Sequence, residues 1–86
     1  MYYVYLLQSK KDRLFYTGFT TDLNRRVNEH NSECQFSTKD RGPFELIYYE
    51  WCLSKEDAIA REKYLKSGQG KRYLRNRLKT YLETFK

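Results

Sequence analysis

Residues 2–18 read YYVYLLQSKKDRLFYTG. The first seven, Tyr2 to Gln8, are aromatic or aliphatic up to the closing glutamine, which is the composition a half-buried strand requires. Polar Ser9 to Arg13 supply a turn, and Leu14 to Gly18 a second short strand. Strands joined by so short a link pair as an antiparallel hairpin. Gly18 ends the second strand, where a side chain would obstruct a close backbone approach. Alternation puts Tyr3 and Tyr5 on one face of the first strand, with Tyr16 on its hairpin partner.

Beyond the hairpin, Thr20 or Thr21 can cap a helix running from about Asp22 to His30, with Asp22 well placed in its first turn. Residues 31–43 are polar and irregular and close at Gly42-Pro43. The clearest strand is Phe44 to Leu53, FELIYYEWCL, hydrophobic enough for the middle of a sheet. Ser54 opens a second helix, with Asp57 completing a weak capping box, and the helix runs to about Lys66. It stops at the Ser67-Gly68-Gln69-Gly70 break. A third helix, about Lys71 to Phe85, carries Leu74, Leu78, Tyr81, Leu82 and Phe85 on one stripe. The expected fold is α+β in the order ββαβαα, a three-stranded mixed or antiparallel sheet flanked by helices. Without linker, repeat or low-complexity segment, residues 1–86 read as one domain.

Composition narrows the function. No stretch approaches the roughly 18 apolar residues of a membrane span, and MYYVYLL is too short for a signal peptide. One histidine and two cysteines, Cys34 and Cys52, do not make a Cys/His zinc finger or a disulfide framework. Reduced thiols and a cytoplasmic location are the expectation. Seventeen Lys and Arg against eleven Asp and Glu leave a net charge of +6, a field that attracts polyanions as well as aiding solubility. Nine tyrosines add flat apolar faces with hydroxyls, suited to a core or to a phosphate-facing surface.

Three features sit awkwardly in a plain core. Leu23, Arg26, Val27 and His30 share one helix face, so a guanidinium lies beside an apolar seam. Either Arg26 snorkels out or pairs with a carboxylate, or it meets an anionic ligand. On the second helix Ala58, Ile59, Glu62 and Leu65 form the inward stripe, which brings Glu62 to its edge. Glu62 then pairs with Arg61, Lys66 or Arg26, or it holds a divalent ion beside a phosphate. Tyr3, Tyr5 and Tyr16 are either stacked core or chemistry. A phenol becomes a useful base only when a neighbour takes its proton, and His30 on the adjacent helix is the candidate.

Basic residues concentrate late in the chain. Lys66, Lys71, Arg72, Arg75 and Lys79 lie in a stretch without an acid, as a solvated face or a nucleic-acid-binding one. The Gly68-Gln69-Gly70-Lys71 turn opens a helix and could hold a phosphate, although it is no Walker motif. No nucleophile elbow is present, and nothing places His30 beside a cysteine.

Tyr3-Val4-Tyr5, Tyr16-Thr17-Gly18 and Asp22-Leu23-x-x-Arg26-Val27-x-x-His30-Asn31, in that order, resemble the GIY-YIG nuclease family. The likeness is strongest to small stand-alone proteins related to the N-terminal domain of the excinuclease subunit UvrC and to the Slx-type endonucleases. Residues 58–66, AIAREKYLK, are similar to the helix on which that family carries its metal-binding glutamate. The resemblance spans nearly the whole chain. It implies a DNA endonuclease of DNA repair that uses Mg²⁺ or Mn²⁺. Carried over by position, it makes Tyr5 the base, with His30 accepting its proton. Tyr16 and Arg26 become the phosphate holders and Glu62 the metal ligand. Tyr3 replaces the family's first glycine, Thr17 its middle isoleucine, and Phe19 stands where the excinuclease branch has a lysine. The family's asparagine after the glutamate has no counterpart at the matching offset, Asn76 being the nearest. The alternative reading is a nucleic-acid-binding module without cleavage, or one that needs a protein partner for specificity.

Overall fold

The computed structural model describes residues 1–32 and 42–84. Its elements are β1 (Tyr2–Ser9), β2 (Phe15–Thr20), α1 (Leu23–Asn31), β3 (Phe44–Cys52), α2 (Lys55–Lys66), α3 (Gly68–Arg77) and α4 (Lys79–Glu83). The fold is the expected α+β one, and the sheet is wholly antiparallel in the order β2-β1-β3. The third helix of the sequence reading breaks at Leu78 into α3 and α4, and Phe85 and Cys34 lie outside the described residues.

One expectation is reversed. β3 is not the central strand but an edge, and β1 takes the middle. The reason is visible in burial: Val4 to Ser9 are buried without interruption, as a strand covered on both faces must be. Along β3, by contrast, Tyr49 and Trp51 stay exposed, and Leu53 just beyond the strand does too.

The two faces of β1 feed two cores. Val4 and Leu6 pack with Ala58, Leu65 and Leu74 beneath α2 and α3, while Tyr5 and Leu7 pack with Phe44, Leu23 and Val27 beneath α1. A bulge between Leu6 and Leu7 brings Leu6 opposite Tyr48 and Leu7 opposite Leu46. Ile47 and Tyr48 therefore both join the core beneath α2. Glu50 lies on that side and accepts from Arg61 Nε at 2.8 Å and from Arg61 Nη2 at 2.9 Å. The Tyr48 hydroxyl adds a third contact at 2.7 Å. Arg61 and Tyr48 hold the Glu50 carboxyl below its usual range. The fork ties β3 to α2, and the Arg61 guanidinium also lies 4.8 Å above the Tyr73 ring of α3.

Local caps differ from expectation in one place. Asp22, not Thr20 or Thr21, caps α1, its Oδ1 accepting from the Arg25 amide at 3.2 Å. Thr20 is still in β2, and its hydroxyl accepts from the Asp22 amide at 3.1 Å, setting the corner. Ser54 caps α2 as expected. The glycine break shrinks to Ser67, which ends α2 and caps α3 through the Gly70 amide at 3.1 Å. A Cβ on Gly70 would collide with the Tyr64 carbonyl and the Leu65 Cα. That glycine lets α3 start against the end of α2, which replaces the phosphate-loop reading with a packing one.

Candidate active site

Each half of the site is delivered by its own element. The hairpin register sets Tyr5 directly opposite Gly18, and Tyr16 opposite Leu7. A Cβ on Gly18 would strike the Tyr5 hydroxyl and ring, so the tyrosine lies across β2 where only glycine leaves room. The approach that Gly18 permits is thus that of a side chain, from within β2 rather than at its end.

On α1, the face carrying Leu23, Arg26, Val27 and His30 does turn inward. His30 is 1% exposed and Tyr5 2%. The Tyr5 hydroxyl and His30 Nε2 are 3.0 Å apart, joined across 25 residues of sequence. With the neutral tautomer that leaves Nε2 bare, Tyr5 donates and His30 accepts. Tyr16 closes the other side of the imidazole, its ring centroid 4.9 Å away, and Phe44 stands at 6.0 Å. The last residue of α1 locks this arrangement. Asn31 Nδ2 donates to the Phe44 carbonyl at 3.1 Å, and its Oδ1 accepts from the Phe44 amide at 2.6 Å. Sequence reasoning quoted Asn31 but gave it no role. A side-chain amide at a helix end, able to mimic a strand's backbone pairing, was the available signal.

Electrostatics converge on the same atoms. Burial pushes the Tyr5 phenol far above its ordinary range, and the nearby Tyr16, Glu62 and Glu29 push in the same direction while Arg26 opposes them. Burial, then Arg26, lowers the His30 imidazole below its ordinary value of 6.5, with Glu29 opposing. The resting pair is therefore a neutral phenol and a neutral imidazole. Arg26 is anchored by Glu29 at 3.5 Å from its Nε and keeps 35% of its side chain exposed, open to an incoming anion.

Glu62 of α2 is half-buried, and of its anticipated partners it takes Lys66, at 3.1 Å. Arg61 is committed to Glu50, and no ion pair joins Arg26 to Glu62 among the described residues. Ile59 turns out exposed, so the inward stripe of α2 is Ala58 and Leu65 with Glu62 at its edge. No cluster of three or more His, Cys, Asp or Glu exists among the described residues. A magnesium-like ion does not need such a cluster, because it binds through one or two carboxylates and completes its shell with water and phosphate oxygens. Glu62 is the α2 carboxylate close enough for its charge to act on Tyr5.

The basic residues divide. Lys66 and Lys71 line a cavity of about 230 Å³ with Tyr16 and Thr17. Lys71 continues into a neighbouring cavity with Arg75 and Arg13, a turn residue that the sequence reading had not singled out. Arg72 and Lys79 are exposed but line neither cavity. Phe19 stacks on Tyr2 at 6.0 Å on the far side, and Asn76 is exposed on α3.

Burial of His30 has a consequence for stability. Below about pH 6.5 the unfolded imidazole takes up a proton that the native one resists, so stability is expected to fall as the pH drops from 6.5 through the lowered native value. Thermal melts between about pH 7.5 and about pH 5.5, above most carboxylate titrations, should show this slope in the wild type and a flatter one in His30→Gln. Equal slopes would remove His30 as its source.

Comparison with known proteins agrees with this architecture. Residues 1–76 match the family model described as the GIY-YIG catalytic domain. A UPF0213 protein of Clostridium perfringens is 43% identical over 67 residues, covering 77% of this chain and 71% of that one. Another, from Streptococcus pyogenes, is 39% identical over 83 residues, covering 95% and 85%. The solution NMR structure of a UPF0213 protein from Bacillus halodurans superimposes with a TM-score of 0.53 at 41% identity, over 86% of this chain and 82% of that one. With the motif residues in order and the sheet built as their spacing required, the chain belongs to the GIY-YIG family.

Proposed function

We propose that the protein is a metal-dependent DNA endonuclease that cleaves a phosphodiester by a single in-line displacement. The observation that carries this reading is the buried 3.0 Å contact between Tyr5 and His30, with Arg26 and Glu62 both acting electrostatically on that phenol. A structural tyrosine needs a partner for its hydroxyl, but not a guanidinium and two carboxylates near enough for their charges to act on it.

Tyr5 orients and deprotonates a water, passing its own proton to the neutral imidazole of His30. Both groups rest neutral, so the transfer is uphill until charge in the bound complex favours the phenolate. Arg26, from α1, meets the scissile phosphate and stabilises the charge that builds on its oxygens. Tyr16, half-buried on the edge strand beside Lys66 and Lys71, positions the same phosphate from the opposite wall. Glu62 would hold Mg²⁺ or Mn²⁺, which supplies Lewis-acid neutralisation of the leaving oxygen when bound. Lys66, Lys71 and Arg75 draw the flanking backbone along the cavities they line.

Labelled DNA incubated with Mg²⁺ or Mn²⁺ should be cut, and chelation should stop it. Glu62→Ala should cut at a rate lower by ~10²–10³, with unchanged binding in chelator. A Glu62→Ala protein as active as wild type would sink the metal role. Salt-sensitive binding with no product under either metal would instead favour a binding module that awaits a partner.

A further inference from the structure

The open end of the α1-side sheet face carries an aromatic group that the proposed chemistry does not use. Tyr3 pairs with Trp51 across β1 and β3, and Tyr49 pairs with Tyr5, so all four residues share that face. The Tyr3 and Tyr49 rings meet edge to face at 5.9 Å, yet Tyr49 remains 51% exposed and Trp51 55%. Beside them lies a cavity of about 380 Å³, at the small end of ligand-sized clefts, walled by Tyr3 and Tyr49 and edged by Thr21, Asp22 and Asn24.

We propose that this cavity receives an unpaired nucleobase next to the scissile phosphate, so that the enzyme acts on DNA with a single-stranded segment at the cut. The inference rests on the nuclease reading and names its substrate class. Among the described residues the cavity is edged by one carboxylate and no cation, which repels a phosphate but suits a neutral ring with amino and carbonyl edges. The adjoining cavity shares Thr21 and Asp22 and adds Arg25 and Arg26, so a phosphate on Arg26 sits next door to the base. Tyr3 is two residues from Tyr5 on the same face, about 7 Å along the strand, which makes the platform continuous with the site. Aromatic faces stack on any base, while Asn24, Thr21 and the Asp22 oxygen not used in capping can meet its edge.

Trp51 is the chain's one tryptophan and therefore a built-in reporter. Its fluorescence would be followed in chelator, where cutting cannot intervene, during titration with an oligothymidine single strand and with a blunt duplex of equal length. The expected result is saturable quenching by the single strand at concentrations where the duplex gives little, although the duplex carries the denser charge. Tyr49→Ala should weaken the single-strand affinity about tenfold, while Tyr49→Phe, which keeps a ring, should bind like wild type. Equal or stronger quenching by the duplex, or a Tyr49→Ala protein with wild-type affinity, would overturn the proposal. So would a blue shift that grows with protein concentration alone while the sedimenting mass doubles, which would make the face an interface between copies. Absence of cleavage in the metal assay would overturn the nuclease reading without touching this binding result.

Discussion

Arg26→Ala is expected to slow DNA cleavage by ~10²–10³ and to leave the melting temperature nearly unchanged. The two effects have different origins. The side chain is 35% exposed and its Glu29 contact is 3.5 Å long, so removing it breaks only a surface ion pair of small worth. The role proposed for it is to aim charge at the phosphate, and among the described residues no other cation acts on Tyr5 in the same way. The pH profile gives a separate signature. Arg26 is the second-largest cause, after burial, of the lowered His30 value. Its removal should raise that value and move the acid limb of the residual activity to higher pH. Arg26→Lys keeps the charge but loses the planar fork, so it should restore the acid limb more fully than the rate. Single-turnover cleavage across pH, run beside thermal melts, reads both. An Arg26→Ala protein that cuts at the wild-type rate would end the phosphate role assigned to it.

Much of this arrangement was legible from periodicity. Residues 2–8 and 15–20 show their strand character in composition, and the spacing of Leu23, Arg26, Val27 and His30 is enough to turn His30 inward. Both partners of the central hydrogen bond could thus be assigned to faces, although their contact across 25 residues required the packing itself. Less legible was the rank of β3. Its apolar run resembles a central strand because the bulge at Leu6/Leu7 sends Ile47 and Tyr48 to one side and erases the alternation. The same misreading hid Tyr49 and Trp51, which a central strand would have covered. Gly70 looked like part of a loop because composition cannot distinguish a glycine needed for a turn from one needed for a close helix contact. Arg77, Leu78 and Lys79 carry no glycine or proline, so the break between α3 and α4 has no local marker.

Gly18→Ala should damage fold and chemistry together, where Arg26→Ala separates them. The added methyl would stand inside the space of the Tyr5 hydroxyl and ring. Tyr5 is 2% exposed and packed among Leu7, Phe44 and Val27, so its ring has little room to retreat. Overpacking of this kind costs about 1–3 kcal/mol, and each kcal/mol lowers the melting temperature of a domain this size by roughly 4–8 °C. Whatever retreat the ring makes carries its hydroxyl away from His30, and a displacement near 1 Å can cost about 10² in rate. Urea unfolding of Gly18→Ala, Tyr5→Leu and the double variant isolates the cause. With the phenol ring removed the methyl has nothing to strike, so the alanine should cost much less in the Tyr5→Leu background than in the wild type. An equal cost in both backgrounds would mean that Gly18 serves the strand and not the tyrosine. The glycine of the second motif would then be no part of how this chain holds Tyr5.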